Sequence, residues 1–428
     1  MTAFSDQAIT DILAKVQAQG IDQCSVDILN NQFSELNVEH GDINLLRTSV
    51  GARIFIQGIK NHKRADVTIN SLDQLDNAIA ELATKIDASP EDRAWDLAEK
   101  VSNPNVSVGD LEPNLDSMYA QLAELNDLIA QEFPTVLLES LILKHNNLTR
   151  QQKNSLGLNL TEQQGWYVLS IMGTAKDEFG TSSFNYSDVE SHTLEGPLIE
   201  WGNIREMLQD LKQQTQSKTL PEEFQGQVIF APDTVPELIE FVVDNTSDNA
   251  MIDGTSIYTD KLDQQIFSDK LSVRFEAEGS QRPGEASFTK DGRVCENSVF
   301  IENGYLRHFN LERYGANRTG QKAGPHDHEG MVIVEGHQHL QTMIAGVKKG
   351  LLVNRLSGGY PAKNGDFSSV AKNSFYIEDG KIAFPVQEVM IGGNMHEVLN
   401  NIDDISLEQQ EFGSHKAPWI LCSGLAIS

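Results

Sequence analysis

The order in which helical and strand patterns follow one another is the strongest constraint on the fold. Helical patterns are concentrated in the first half of the chain, whereas the sequence beyond residue 226 is punctuated by glycine and is mostly typical of short strands. Asn303-Gly304 and Asp379-Gly380 each separate two apolar runs, which is a pattern typical of β-hairpins. Because helices and strands are grouped and do not alternate, the sequence predicts an α+β fold.

The N-terminal half is predicted to combine helices with an antiparallel sheet. Apolar residues recur at helical spacing over residues 9–16 and 118–129, and a serine at position 71 is placed to cap a helix that ends near residue 86. Short alternating segments between these helices predict strands, with a hairpin turn at residues 40–42. A further amphipathic helix is predicted around residues 199–214.

The length of the chain favours two domains. A chain of 428 residues is too long for one ordinary hydrophobic core. The segment "SKTLPEEFQG" has the composition of a linker, with the boundary near residues 221–226. We therefore predict an N-terminal α+β domain over residues 1–222. Residues 223–428 are predicted to form a C-terminal β-rich domain, sheet-like or barrel-like, with few helices.

Charge and cysteine content exclude several classes of protein. The net charge of -29 disfavours binding to nucleic acid or to anionic membranes, because phosphate groups are repelled. Cys24, Cys295 and Cys422 are odd in number and far apart, which favours reduced thiols in a cytoplasm. No signal-peptide pattern is evident, and no stretch approaches the roughly 18 apolar residues of a membrane span. These features predict a cytoplasmic protein.

The stretch "GPHDHEGMVIVEGHQHL" is the first candidate for a metal site, because four histidines lie in it: His326, His328, His337 and His339. A His-x-His pair in a strand points both imidazoles to one face and can ligate a metal. No cysteine or carboxylate pattern accompanies these histidines in a known geometry. We therefore favour a polar loop with solvated histidines, and keep a divergent metal site built on His326 and His328 as the alternative.

The loop "LSGGYPAKNGDFSS" is a second candidate site. Its adjacent glycines allow a backbone to approach a ligand closely, because glycine lacks a Cβ atom. An ordinary long hairpin loop explains the same residues equally well.

The region around this loop resembles the TldD/PmbA family of peptidases, also called modulators of DNA gyrase. A Ser-Gly-Gly at residues 357–359 and a Gly-Asp-Phe-Ser at residues 365–368 occur in the order typical of the family. An Ile-Glu-Asp-Gly-Lys-Ile hairpin at residues 377–382 and a Gly-Asn followed by Glu-Val-Leu over residues 393–399 complete the pattern. The resemblance extends over nearly the whole chain and is strongest after residue 226.

The resemblance also indicates which kind of family member this chain is. Catalytic members, TldD, carry His-Glu-x-x-x-His on a helix before a Gly-Thr-Ser segment, and the TldE or PmbA kind lacks this motif. Counting back without gaps from the Gly-Thr-Ser at residues 254–256 places Ile239, Glu240 and Asp244 opposite the motif. No histidine lies between His192 and His308.

The C-terminal cysteine of the catalytic kind is also missing. Ser414 or His415 stands at its position, and Cys422 follows later in an apolar run that predicts a core thiol. The chain therefore resembles the TldE/PmbA kind, with no catalytic residue and no metal of its own.

The resemblance implies a non-catalytic subunit of a cytoplasmic zinc metallopeptidase that processes or degrades unfolded peptides. Zinc would belong to a TldD-like partner in a heterodimer, and a homodimer is the alternative for the isolated chain. An unfolded peptide would bind by adding a strand to an exposed sheet edge of the protein.

The alternatives for the function of this chain are an independent metallopeptidase or a peptide-binding holdase. The expected substrate-binding residues are Ser357, Gly358, Gly359, Asp366, Phe367, Ser368 and Asn394.

Overall fold

The structure is a computed structural model that describes residues 6–39, 41–327 and 330–428. The helices are α1 (Asp6–Gln17), α2 (Leu75–Ala88), α3 (Leu115–Glu132), α4 (Ile204–Gln214), α5 (Val235–Asn245), α6 (Asp248–Ile252), α7 (Arg313–Thr319), α8 (Leu340–Gly346) and α9 (Met395–Asn400). The strands are β1 (Gln23–Glu39), β2 (Asp42–Lys60), β3 (Lys63–Ile69), β4 (Val106–Val108), β5 (Val136–Asn154), β6 (Asn159–Ala175), β7 (Asn185–Ser191), β8 (Phe224–Phe230), β9 (Val273–Phe275), β10 (Ser298–Glu302), β11 (Tyr305–Leu306), β12 (Met331–Ile333), β13 (Lys349–Val353), β14 (Arg355–Ser357), β15 (Asp366–Lys372), β16 (Ser374–Glu378), β17 (Lys381–Val386), β18 (Val389–Asn394), β19 (Ile402–Glu411) and β20 (Lys416–Ile427).

The N-terminal sheet has the order β3-β2-β1-β5-β6, and β4 and β7 both pair with β6. All of these pairs are antiparallel except β4 with β6, so the predicted antiparallel sheet is confirmed. The apolar faces of α1 and α2 pack on β1 to β3. Those of α3 and α4 pack on β5 and β6. Helices and sheet thereby bury two adjacent apolar clusters.

The predicted short strands of this sheet merge into long ones. β1 has 17 residues and β2 has 19, and they pair from Gln23↔Ile59 to Glu39↔Asp42. Polar residues such as Asn30 and Asn31 do not interrupt the strand, because each pairs with a residue of β2. The predicted hairpin turn includes His40, which lies outside the described residues.

The C-terminal sheet has the order β11-β10-β9-β12-β20-β8-β13-β16-β17, with β14, β15, β18 and β19 attached through β15, β18 and β20. Two pairs, β8 with β13 and β12 with β20, are parallel, so the sheet is mixed. The predicted α+β class and β-rich C-terminal half are confirmed. The barrel-like alternative is wrong, because the path ends at β11 and β17 without closing.

Two hairpin turns formed as the dipeptides predicted. Asn303 and Gly304 have φ angles of 48° and 81°, and Asp379 and Gly380 have 47° and 77°. Positive φ at both central residues is the requirement of a type I′ turn. The turns join β10 to β11 and β16 to β17.

The helix predicted around residues 199–214 begins later than expected. A single 3-10 turn covers Leu198–Glu200, and α4 starts at Ile204. Gly202 lies between them with a φ of 50°, which interrupts the helical backbone.

Side chains of the two halves contact each other at several points. Arg150 of β5 donates to the carbonyl oxygen of Phe288 at 2.7 Å, and Asn354 donates to Asp210 of α4 at 2.6 Å. The division at residues 222/223 stays a prediction. Within the part of the chain that is described, no helix has the length and apolar content needed to cross a bilayer.

Candidate functional site

A cavity of about 560 Å³ lies between helix α5 and the hairpin formed by β14 and β15. One wall consists of Glu237, Glu240 and Asp244, all on α5. The opposite wall is the start of the hairpin, from Arg355 to Tyr360. A volume of this size is typical of sites that hold a small molecule or a short peptide segment.

The acidic wall follows from the pattern of α5. The helix has Pro236 in its first turn, where no amide hydrogen bond is lost. Leu238, Ile239 and Val242 are fully buried in the C-terminal core. The acidic residues at positions 237, 240 and 244 are spaced by three and four, so they share the other face of the helix. Of the three positions opposite the family motif, 239 therefore points to the core.

Burial changes the protonation of this wall. It raises the pKa of Glu237 to about 7, and the charges of Glu240 and Asp233 add to the effect. The pKa of Glu240 is also raised, first by burial and then by Asp244. Because the pKa of Glu237 lies near neutrality, this carboxyl group is only partly ionised at pH 7.

The cavity residues do not fit the zinc ion that catalytic members of the family are expected to hold. Structural and catalytic zinc sites are built mainly from imidazole and thiolate groups, with carboxylates as additional ligands. The described residues that line the cavity include Glu240 and Asp244 but neither histidine nor cysteine. Across the described ranges, no group of three or more His, Cys, Asp or Glu residues is arranged to hold a metal ion.

Part of the predicted substrate-binding set lines the cavity: Ser357, Gly358, Gly359 and Phe367. A Cβ atom on Gly359 would lie 1.8 Å from the carbonyl oxygen of Ser368, and its φ is 68°. A hydrogen bond joins the same two segments, because the hydroxyl of Ser369 donates to the carbonyl oxygen of Gly359 at 3.1 Å. The close approach that this glycine permits is therefore between the loop after β14 and strand β15.

The other predicted residues do not line the cavity: Asp366 and Ser368 lie on β15, and Asn394 ends the neighbouring strand β18. Side chains alternate along β15, so Phe367 is buried on the cavity side while Asp366 and Ser368 are exposed. Asn394 donates to Asp366 at 2.9 Å, and its side chain accepts from the first amides of α9. Hydrogen bonds from Asn394 and Asn364 keep the pKa of Asp366 below its usual value.

Sequence reasoning missed several cavity residues, of which Arg355 and Tyr360 are the most informative. Tyr360 is 89% exposed at the cavity mouth, whereas Arg355 is only 8% exposed. A signal for Arg355 exists in the sequence. It is a charged residue two positions after the apolar strand β13 and two positions before the Ser-Gly-Gly segment.

The histidine-rich stretch lies apart from this cavity. His326 is 1% exposed, with its Nε2 atom 2.7 Å from the hydroxyl of Ser298 and its ring 4.6 Å from that of Phe275. The prediction of a solvated histidine is wrong for His326, because it packs in the core. His339 is exposed and contacts Glu408. His328 lies outside the described residues.

The C-terminal candidates for the missing cysteine are also apart from the cavity. Cys422 is fully buried, which confirms the predicted core thiol, and burial raises its pKa. The ring of His415 stacks on Phe412 at 4.6 Å, and burial lowers the pKa of His415 to about 4. Neither Ser414 nor His415 is among the cavity-lining residues.

Comparison with known proteins identifies the relatives of this chain. Residues 224–428 match the PmbA/TldA metallopeptidase C-terminal domain. This C-terminal half belongs to the PmbA/TldD family. Metalloprotease PmbA of Escherichia coli is 28% identical over 179 residues, which are 41% of this chain and 39% of that protein. The matched region thus spans only about two fifths of the length of the curated PmbA relatives.

Two solved structures share the fold of this chain along its whole length. A candidate modulator of DNA gyrase from Bacteroides thetaiotaomicron has a TM-score of 0.87 at 19% identity and covers 99% of both chains. TldE from Thermococcus kodakarensis has a TM-score of 0.83 at 19% identity, covering 98% of this chain and 99% of its own.

Proposed function

We propose that this chain is a peptide-binding, non-catalytic subunit that assembles with a TldD-like subunit into a cytoplasmic zinc metallopeptidase. The observation that carries the proposal is the composition of α5. Where catalytic relatives are expected to carry their zinc motif, α5 has Ile239 in the core and Glu240 and Asp244 on the cavity wall. A cavity lined by these acidic residues without a histidine or cysteine fits peptide binding without hydrolysis.

The hairpin beside the cavity offers a way to hold an extended peptide. β14 pairs with β15, and the described residues contribute no second strand partner to it. A free strand edge presents backbone donors and acceptors that a peptide can pair with, largely independent of its sequence. Tyr360 and Phe367 supply apolar surface at the mouth and base of the same cavity.

Reconstitution with a partner tests the proposal. The chain is purified alone and together with a TldD-like protein that carries the His-Glu-x-x-x-His motif, and cleavage of an unfolded peptide and bound zinc are measured. We expect neither cleavage nor stoichiometric zinc for the chain alone, and cleavage with the partner. Zinc-dependent cleavage by the chain alone would contradict the proposal. Peptide binding that never supports cleavage would favour a holdase.

A pair of tyrosine variants connects this activity to the cavity. Tyr360→Ser removes an exposed ring at the cavity mouth and should weaken peptide binding by roughly 3- to 10-fold, the usual range for one partly buried aromatic contact. Tyr119→Ser, on α3 and 54% exposed, is the matched control and should leave binding unchanged. Equal effects of both changes would place the peptide elsewhere.

A further inference from the structure

Arg355 is a buried guanidinium on the wall of the cavity. It lies over the rings of Phe184 and Tyr186, at 4.4 and 5.2 Å from their centroids. Its Nη2 atom donates to the carbonyl oxygen of Phe184 at 3.3 Å. The two rings hold the guanidinium plane in place, so its position is set before any ligand arrives.

The hydrogen-bonding capacity of Arg355 is largely unused. Its Nε atom is buried and has no hydrogen-bond partner in the described part of the chain. Arg150 and Arg282 are buried to a similar extent, and each pairs with a carboxylate, Asp27 or Glu276. No such ion pair involves Arg355 within the described ranges. Burying a cation without an ion-pair partner costs free energy. An anionic ligand group that pairs with the guanidinium of Arg355 would therefore bind favourably.

Two acidic groups act electrostatically on Arg355 without forming an ion pair with it in the described part of the chain. Arg355 acts electrostatically on Asp233 and Glu237, yet burial raises their pKa values to about 6 and about 7. At neutral pH both carboxyl groups are therefore ionised less fully than exposed ones. Neither carboxyl group takes up the Nε donor of Arg355, which has no hydrogen-bond partner in the described part of the chain.

We propose that Arg355 binds the C-terminal carboxylate of the peptide in the cavity. This inference rests on the proposed peptide-binding function. Arg355 is the first residue of β14, so a peptide that pairs antiparallel with the free edge of β14 has its C-terminal end beside it. A guanidinium and a carboxylate form two parallel charge-assisted hydrogen bonds. Glu240 and Asp244 on the opposite wall disfavour additional acidic side chains.

Peptide chemistry tests this proposal on the unmodified protein. An unfolded fluorescent peptide without Asp or Glu is prepared with a free C-terminus and as the C-terminal amide, and its affinity for the full chain is measured by anisotropy. We expect the free carboxylate to bind at least about 10-fold more tightly, as for a desolvated charge-assisted pair. A third peptide, amidated but with one internal Glu, should bind as weakly as the plain amide.

Each outcome decides a different point. Equal affinity of the acid and the amide would overturn the role of Arg355 while leaving the peptide-binding proposal intact. Recovery of affinity by the internal Glu would show that a side-chain carboxylate is recognised, and would overturn the C-terminal assignment. If none of the peptides bound, the proposed function itself would fail, and this inference with it.

Two variants assign the effect to one side chain. Arg355→Gln should reduce the ratio of acid to amide affinity to near one, chiefly by weakening binding of the acid. Lys363→Gln is the matched control, because Lys363 is a second cation on the cavity but is exposed. It should keep most of the ratio. A ratio that persists in Arg355→Gln and disappears in Lys363→Gln would transfer the role to Lys363.

Discussion

At the scale of single residues, the two glycines of the cavity loop have similar backbones and different surroundings. Gly358 and Gly359 have φ angles of 67° and 68°. A Cβ on Gly358 would meet nothing within 4 Å, whereas one on Gly359 would collide with the carbonyl oxygen of Ser368. Both backbones favour glycine, but only at position 359 is glycine also needed for the close contact of the loop with β15.

These two glycines allow a matched pair of substitutions. Gly359→Ala should lower the free energy of unfolding by about 2–4 kcal/mol, because backbone strain and a collision with a carbonyl group combine. Gly358→Ala should cost only about 1 kcal/mol, the strain of a left-handed backbone alone. Urea denaturation of both variants measures the difference. Equal losses would mean that the approach to Ser368 is looser than the structure indicates.

At the scale of elements, helix α4 supports the strand that carries the cavity wall. Asp210 on α4 accepts a hydrogen bond from Asn354, the residue directly before β14. Gln214, at the end of the same helix, donates to the carbonyl oxygen of Ser374 at 2.9 Å. Burial raises the pKa of Asp210 to about 7 despite this hydrogen bond. The contact between α4 and the hairpin is therefore sensitive to pH.

The raised pKa of Asp210 predicts a pH dependence of stability. Between about pH 4 and 7 the folded state holds a proton on Asp210 that the unfolded state has lost, so this contribution is present at low pH and disappears as pH rises through 7. Asp210→Asn stays neutral throughout. From pH 5.5 to 8 its free energy of unfolding should fall by about 1–3 kcal/mol less than that of the wild type.

Denaturation at both pH values measures this difference. Glu124→Gln, an exposed change on α3, is the control and should retain the pH dependence of the wild type. An unchanged dependence in Asp210→Asn would mean that Asp210 is ionised in the folded protein.

At the scale of the whole molecule, Arg150 connects the N-terminal sheet to the C-terminal half of the chain. Its guanidinium pairs with Asp27 at 2.7 Å and lies 3.7 Å from Glu162. It also donates to the carbonyl oxygen of Phe288 and lies 4.4 Å from the centroid of that ring. Asp27 and Glu162 belong to the N-terminal sheet, whereas Phe288 follows β9 in the C-terminal half. One buried guanidinium thus interacts with carboxylates of the N-terminal half and donates to a carbonyl group of the C-terminal half.

Removing this cation should destabilise the protein strongly. Arg150→Met leaves Asp27 and Glu162 buried without their cation, which typically costs about 3–5 kcal/mol. Lys15→Met breaks an exposed ion pair with Asp76 and should cost less than about 1 kcal/mol. Chemical denaturation compares the two variants. A small effect of Arg150→Met would show that water or neighbouring groups compensate the two acids.

The sequence by itself determined the features that depend on neighbours along the chain. Helical periodicity predicted α1 and α3, and the Asn-Gly and Asp-Gly dipeptides predicted their hairpins, because these patterns act through local backbone geometry. The lack of histidine at positions 239 and 244 is likewise a property of the sequence alone. The resemblance of the C-terminal half to the PmbA/TldD family followed from short motifs in the family's order.

Only the tertiary structure decided which side chains meet. The alternation of β15 directs Phe367 and Ser369 to the cavity and Asp366 and Ser368 away from it, and the register that decides this comes from β18. Arg355 contacts Phe184 across 171 residues of sequence. Burial of this kind depends on long-range packing, which local patterns do not encode. The sequence therefore located the loop beside the cavity, and the three-dimensional packing selected the residues that line it.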